Sequence, residues 1–591
     1  KPVVFSVEDS GNDKNPLIIK ASGKGKPVFS GSRKLSQWHV LNNPGKQKIL
    51  PAEVKGKIYV ASLRDAGITN YGNPIEPGKR PELFCNQQLQ ILARWPNHDF
   101  AKAGLVKGKT ELPPTFKNKR GTKEGVFEYA GKRQSLWANE KEAVLGGYWF
   151  WDWSDEFQVI NRVDTLAKIL YLTEPYHRFG YKDSLRYFGL NLFCEIDQPG
   201  EWYLDRTEGL LYWYPPLGVD PAKAEVSLSL LDSPFMIELN DCSFVTLQGL
   251  TFQESRGSAV SITGGKNCLV RDCRIERFGR DGIHISGGSE HGISGCLVRT
   301  LGFRGIEIKG GDRKNLIPAN NFIENTVVEY FSLFKRTYEP AVYFEGCGMR
   351  VSNNRFRYSS SSAMRLEGND FTIEYNEISQ VVNESDDQGA LDMWYNPSYR
   401  GVNIRFNRWS DITGGTHSGA AGVRLDDMIS GVTIYGNIFE RCGARLFGGV
   451  QIHGGKDNLV ENNLFYQCNA AVTFHVWGEK RWLEQLDSPE IKEKIFREVD
   501  IRSTLYQIKY PEVKAIRENA DANTIKNNLI IDCKSQFLRS NQQQIFENNT
   551  TVASGGESKE AFFSSVFLKK YGLEPIPVEK MGPKNNPWIK Q

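Results

Sequence analysis

The chain has 591 residues, 40% hydrophobic and 12% aromatic, and no apolar run near the twenty residues a membrane helix needs, so it can build a large core and no membrane span is expected. Its formal charge of +4 is the small difference between 74 basic and 70 acidic residues, and no long basic run stands out, which leaves nucleic-acid binding without support.

In chain order, residues 1–45 hold short apolar runs ("PLIIKA", "KPVFSG") separated by Gly and Pro, and they read as the first coils of a repeat. From 46 to 225 the composition shifts to Trp, Tyr, Pro and charge ("LARWPNHDF", "GYWFWDWSDEF", "GEWYLDRTEGLLYWYPP"). Short alternating strands with turn signals predict an inserted β-sandwich-like module there, or two.

From 226 to 555 one octet recurs, as in "FTIEYNEI" at 371–378, "VNIRFNRW" at 402–409 and "VTIYGNIF" at 432–439. Its sixth positions include Asn354, Asn376, Asn407, Asn437, Asn463, Asn528 and Asn549, with steps of 22, 31, 30, 26, 65 and 21 residues. A period near 22 with longer steps is a repeat carrying insertions on one edge. Each unit is rich in β-branched residues with period-2 alternation and lacks leucine-rich spacing. The pattern predicts an all-β fold, a right-handed parallel β-helix whose Asn side chains stack along the axis. The 65-residue step contains 478–520, where Leu, Ile and Phe fall at helical spacing among charges, a helical excursion from one coil. Residues 556–591 form a Gly- and Pro-punctuated tail.

Ten cysteines raise the question of disulfides, but Cys442, Cys468 and Cys533 each follow a ladder Asn by five residues and so share one register. Inward-facing free thiols are the economical reading. No CxxC pair or His/Cys metal spacing occurs, so neither a metal nor another cofactor is expected.

The chemistry lies on one strand of each coil, seen as "IEIKG" at 306–310, "VYFEG" at 342–346, "MRLEG" at 364–368, "LDMWY" at 391–395, "VRLDD" at 423–427, "VQIHG" at 450–454 and "VTFHV" at 472–476. Alternation buries the first and third residues, so the second and fourth form two outward columns. From 342 to 475 these columns carry Glu345, Arg365, Glu367, Asp392, Trp394, Arg424, Asp426, His453 and His475. Asp392 and Asp426 fall on a diagonal, with Cα atoms expected about 8 Å apart. The loop "NESDDQGALDMW" adds Asp387, and Asp427 follows Asp426. Paired carboxylates suit glycoside hydrolysis, where one acts as acid and the other as base or nucleophile, and acid crowding raises the pKa that a proton donor needs. Asp387, Asp392, Asp426 and Asp427 are therefore the catalytic candidates. Glu345, Arg365, Glu367, Trp394, Arg424, His453 and His475 are the substrate-binding ones. Arg365 and Arg424 either hold a sugar carboxylate or neutralise the acids, and Asp427 also fits an ordinary Asx turn.

The opening "EDSGNDKNPLIIKASGKGKPVFSGSRKLSQW", followed by "LARWPN", "GYWFWDWSD", "PGEWYLDRTEGLLYWYPP", "SDDQGALDMW" and "VRLDD", resembles the parallel β-helix enzymes of glycoside hydrolase family 141. The resemblance spans nearly the whole chain. It implies an exo-acting α-glycosidase, of α-L-fucosidase type, acting on plant or algal polysaccharide side chains. It covers Asp387, Asp426 and Asp427, whereas the family pattern has an aromatic at the place of Asp392, which stands on geometry alone. Two alternatives remain at this stage. One is a polysaccharide lyase using Lys309, Arg365 or a His as base, with calcium on Glu345 and Glu367. The other is a non-catalytic carbohydrate-binding protein. The chain opens at Lys1 in mid-pattern, and a secreted or periplasmic setting is expected from the polysaccharide substrate rather than from a leader.

Overall fold

The computed structural model describes residues 1–23, 25–113 and 119–589. Three parallel sheets of twelve strands each wind through the chain, and successive strands belong to the first, second and third sheet in turn. In one representative coil these are Met364–Asn369, Thr372–Glu374 and Glu377–Ser379. This is a right-handed parallel β-helix. The first coil, Val3–Phe5, Leu17–Lys20 and Val28–Ser30, lies beside strands that begin only at Phe235.

The recurring octet is the turn between the second and third sheets. Its Asn side chain bridges to the next coil twice, as where Asn376 Oδ1 accepts from the Asn354 backbone N–H at 2.9 Å and from Asn354 Nδ2 at 3.0 Å. The stack continues through Asn407, Asn437, Asn463 and Asn528 to Asn549 with bonds of the same kind. Side-chain amides fit there because each coil leaves a buried N–H that must be satisfied. The residue before each ladder position is left-handed, with φ 56° at Asn353, 57° at Tyr375 and 55° at Phe406. A second, shorter stack that the octet does not show joins Asn458 to Asn523 at the turn between the first and second sheets. Inward-facing rings add a ladder of their own, with Trp409, Phe439 and Phe465 stacked at 6.0 and 4.9 Å.

The ten cysteines are free, and Cys442 and Cys468 are buried while Cys533 is half-buried. The helical excursion includes Gly478–Leu486, Pro489–Glu493 and Thr504–Lys509, with Trp482, Ile491, Ile495, Tyr506 and Val513 in its core. The tail lays Phe562, Leu568, Leu573 and Met581 on Ile438, Leu464 and Leu529, covering the outer face of the third sheet.

A second compact unit comprises residues 30–234 and 254–257. Residues 30–45, expected among the first coils, belong here instead, because Ser32–Lys34 pairs antiparallel with Val226–Ser229 and His39–Val40 with Tyr59–Ser62. Only part of the unit is sandwich-like. There, a five-stranded and a four-stranded sheet enclose Leu35, Leu83, Trp202, Trp213 and Leu228. The other part is a closed antiparallel ring of six strands, because Arg186–Leu190 pairs with both Ala101–Val106 and Val144–Tyr148. Large rings fill it, among them Phe127, Trp137, Trp149 and Tyr187.

Candidate active site

The two outward columns exist on the first sheet. Backbone pairing runs Glu307, Tyr343, Arg365, Asp392, Arg424, Gln451 and Thr473 in one row, and Lys309, Glu345 and Glu367 in the other. Trp394 pairs with Asp426 and Asp392 with Arg424, so Asp392 and Asp426 are diagonal neighbours.

Arg424 is the centre of the cluster. Its Nη2 lies 2.8 Å from Asp387 Oδ1 and 2.8 Å from Asp426 Oδ2, and its Nη1 lies 3.6 Å from Asp392 Oδ1. One buried guanidinium therefore serves three carboxylates. Burial pushes Asp392 up to about 6, a rise opposed by Arg424 and reinforced by Asp426. Burial likewise holds Asp426 at about 6, with Arg424 opposing and Asp387 adding to the rise. Burial and then the Asp426 charge also raise Asp427. Asp387 reaches the cluster from a left-handed turn residue, φ 57°, and is the most open of the carboxylates on Arg424, with 31% of its side chain exposed against 3% for Asp392.

Its neighbour Asp386 does a different job. Its carboxylate accepts the backbone N–H groups of Thr416, His417, Ser418 and Gly419 at 2.8–3.0 Å and so fastens the 416–419 loop. Glu384 is likewise tied to Arg336.

His453 joins Asp426 and Asp427. Its Nδ1 is 2.8 Å from Asp426 Oδ1 and 3.2 Å from Asp427 Oδ1, and its ring stacks on His475 at 4.2 Å. Burial lowers His453 to about 4, so the ring is neutral at neutral pH. A neutral ring donating from Nδ1 leaves Nε2 as a buried acceptor with no partner among the described residues. One ligand atom from each of Asp426, Asp427 and His453 lies within 4.8 Å of the others, close enough for a cation. Of these atoms Asp426 Oδ1 is engaged by His453 Nδ1 at 2.8 Å, while Asp427 Oδ1 is buried without a hydrogen-bond partner among the described residues.

Trp394 is 46% exposed and lies between the aspartates and the other row, donating from Nε1 to Asp427 Oδ2 at 3.3 Å. Beyond it Glu367 pairs with Arg365 at 2.8 Å and Glu345 with Lys309 at 3.1 Å. The predicted residues thus fall into two groups. Asp387, Asp392, Arg424, Asp426, Asp427, His453 and His475 stand on one side of Trp394, and Glu345 and Glu367 on the other.

Tyr338 was missed by the sequence reading. It comes from the loop before Val342–Cys347, and its ring lies 5.2 Å from the Arg365 guanidinium. Burial, then the charges of Asp392 and Asp387, raise its phenol, which stays protonated. The loop is outside the repeat, and neither of its aromatics, Phe334 and Tyr338, carries a periodic signal.

A family model described as the right-handed β-helix region matches residues 235–334 and 340–483. No curated protein matches the chain. A solved structure described as a glycoside hydrolase superposes with a TM-score of 0.52 at 14% identity, over 97% of this chain and 89% of that one. The complex of XylC with xylose gives 0.45 at 10% identity, over 91% and 77%. The complex of the alginate lyase AlyF-OU02 with G6 gives 0.32 at 12% identity, over 59% and 81%. At these identities the likeness is one of fold.

Proposed function

We propose that the protein is a glycoside hydrolase that cleaves at the Asp387, Asp426 and Asp427 cluster. The observation that carries this is the sharing of Arg424 among three carboxylates, two of them buried and held at about 6. A carboxyl at that value holds a proton in mildly acidic solution and can give it to a glycosidic oxygen, which is what the acid of such an enzyme must do. Asp426 is that donor. Asp387, open to solvent and oriented by Arg424, is its partner as base or nucleophile, and Asp427, fixed by Trp394 and His453, is the alternative partner. Asp392, with 3% of its side chain exposed against 8% for Asp426, acts by holding Arg424.

The lyase alternative needs free cations for the uronate carboxylate and free acids for calcium. Lys309, Arg365 and Glu345 with Glu367 are instead paired with each other. The family 141 resemblance supports an exo-acting α-L-fucosidase-type activity on plant or algal polysaccharide side chains, in a secreted or periplasmic setting. The test follows products by NMR with and without a chelator. New reducing ends and no effect of the chelator are expected, whereas unsaturated products or loss of activity in the chelator would transfer the site to the lyase class.

A further inference from the structure

A cavity lies beside the aspartate cluster. On the far side of the Trp394 ring it follows the fourth-residue column with a volume of about 700 Å³, floored by Lys309, Glu345 and Glu367 and walled by Tyr399 and Lys494. That volume lies within the roughly 300–1,000 Å³ of small-molecule sites. Its lining runs from Gly287 to Trp394, across five successive coils. At about 4.8 Å per coil the floor is roughly 19 Å long, the reach of several sugar residues rather than one.

Trp394 lines this cavity and also contacts the aspartate cluster. Its Nε1 is fixed on Asp427 and its ring is stacked on Tyr395 at 5.3 Å and 27°, so it stands as a rigid, half-exposed plate. An amphipathic ring so placed suits the apolar face of a pyranose. The charges of the lining cancel, with Lys309, Arg313, Lys314 and Lys494 against Asp312, Glu345, Glu367 and Glu498. They also close on one another, since Lys309 bridges Glu345 at 3.1 Å and Glu307 at 3.4 Å while Arg313 meets Glu498 at 3.1 Å. Such a surface has little net field to gather a polyanion. It is dense in charged donors and acceptors for hydroxyl groups.

We propose that this cavity is a row of subsites for several uncharged sugar residues adjoining the one that is cleaved, so that the substrate is a neutral oligosaccharide segment rather than a polyuronate or a free glycoside. The inference rests on the reading of the aspartate cluster as the reacting centre.

The test is calorimetric binding to Asp426→Asn protein, which prevents cleavage during the titration. The probes are neutral xylo-, arabino-, galacto- and fuco-oligosaccharides of one to six residues, and oligogalacturonates of the same lengths. In at least one neutral series Kd is expected to fall by about tenfold or more from disaccharide to pentasaccharide. Adding Lys309→Ala or Tyr399→Ala should remove that gain and leave the disaccharide Kd within about twofold. A panel in which no neutral series gains affinity with length overturns the proposal, as does tighter binding of oligogalacturonates than of every neutral series. Turnover by the unmodified protein separates the two readings. Hydrolysis of short aryl glycosides without length-dependent binding removes the subsites and keeps the reacting centre, and length-dependent binding without hydrolysis does the reverse.

Discussion

Two Asp–His pairs stand on the first sheet and differ in electrostatics. In the early coils His284 Nε2 lies 3.0 Å from Asp281 Oδ2. Burial would raise Asp281, but the His284 hydrogen bond, the Arg280 charge and the Arg304 backbone N–H hold its carboxyl below the usual range. In the late coils His453 Nδ1 lies 2.8 Å from Asp426 Oδ1, yet burial wins and Asp426 stands at about 6. Residue types do not separate the pairs. The ratio of cations to acids does, because Asp281 draws on several donors while Arg424 is divided among three carboxylates. In the proposed function the early pair is a structural contact and the late pair supplies the proton. A raised value alone does not mark a site, since half-buried Glu339, paired with Arg304 at 2.6 Å, stands at about 7.

The comparison breaks most violently at Arg424. Replacing it with Gln leaves buried Asp392 and Asp426 and the partly exposed Asp387 without their cation, and urea unfolding should show a loss of about 3–5 kcal/mol, the range for breaking a buried ion pair. A loss under about 1 kcal/mol would mean that Arg424 is not their shared partner.

The pH profile comes next. With Asp426 as donor, turnover should fall above about pH 6 by about tenfold per unit as the donor deprotonates. A profile flat from pH 5 to 8 would remove Asp426 from proton transfer.

The smallest effect is expected at Asp281. Its folded value is depressed, so its carboxylate contributes stability above the unfolded value near 3.9, and that contribution is lost as pH falls through the folded value. Asp281→Asn should therefore cost about 1–3 kcal/mol at pH 7 and less at pH 3, with turnover within about twofold. A drop in turnover comparable to that of a catalytic aspartate would make the early pair part of the site.

The β-helix was legible because its physics is periodic. Asn376, Asn407 and Asn437 repeat wherever a coil must satisfy the same buried N–H, and the outward columns follow from alternation. The columns also placed Asp392, Trp394, Arg424, Asp426 and His453 on one face. Loops carry no such period, so Tyr338 and Tyr399 could not be read, and the helical excursion that was read gave no sign that its Lys494 walls the cavity. The centrality of Arg424 was hidden for another reason. Sequence assigned it a position in the row but not the three acids that converge on it from a loop and two strands. Residues 30–45 misled because short apolar runs between Gly and Pro look alike in parallel coils and antiparallel sheets.

The most direct measurement is turnover by Asp426→Asn beside its melting temperature. Asn keeps the shape and removes the titratable proton, so the rate should fall by at least about 10²-fold, the lower end of what a positioned proton-transfer group supplies. Because the folded value of Asp426 lies above the unfolded one, its ionised form costs stability above about pH 6, and the melting temperature at pH 7.5 should be unchanged or higher. A variant that cleaves the same glycan at near the original rate, or that loses activity only in step with a lowered melting temperature, would contradict the assignment of Asp426 as the donor.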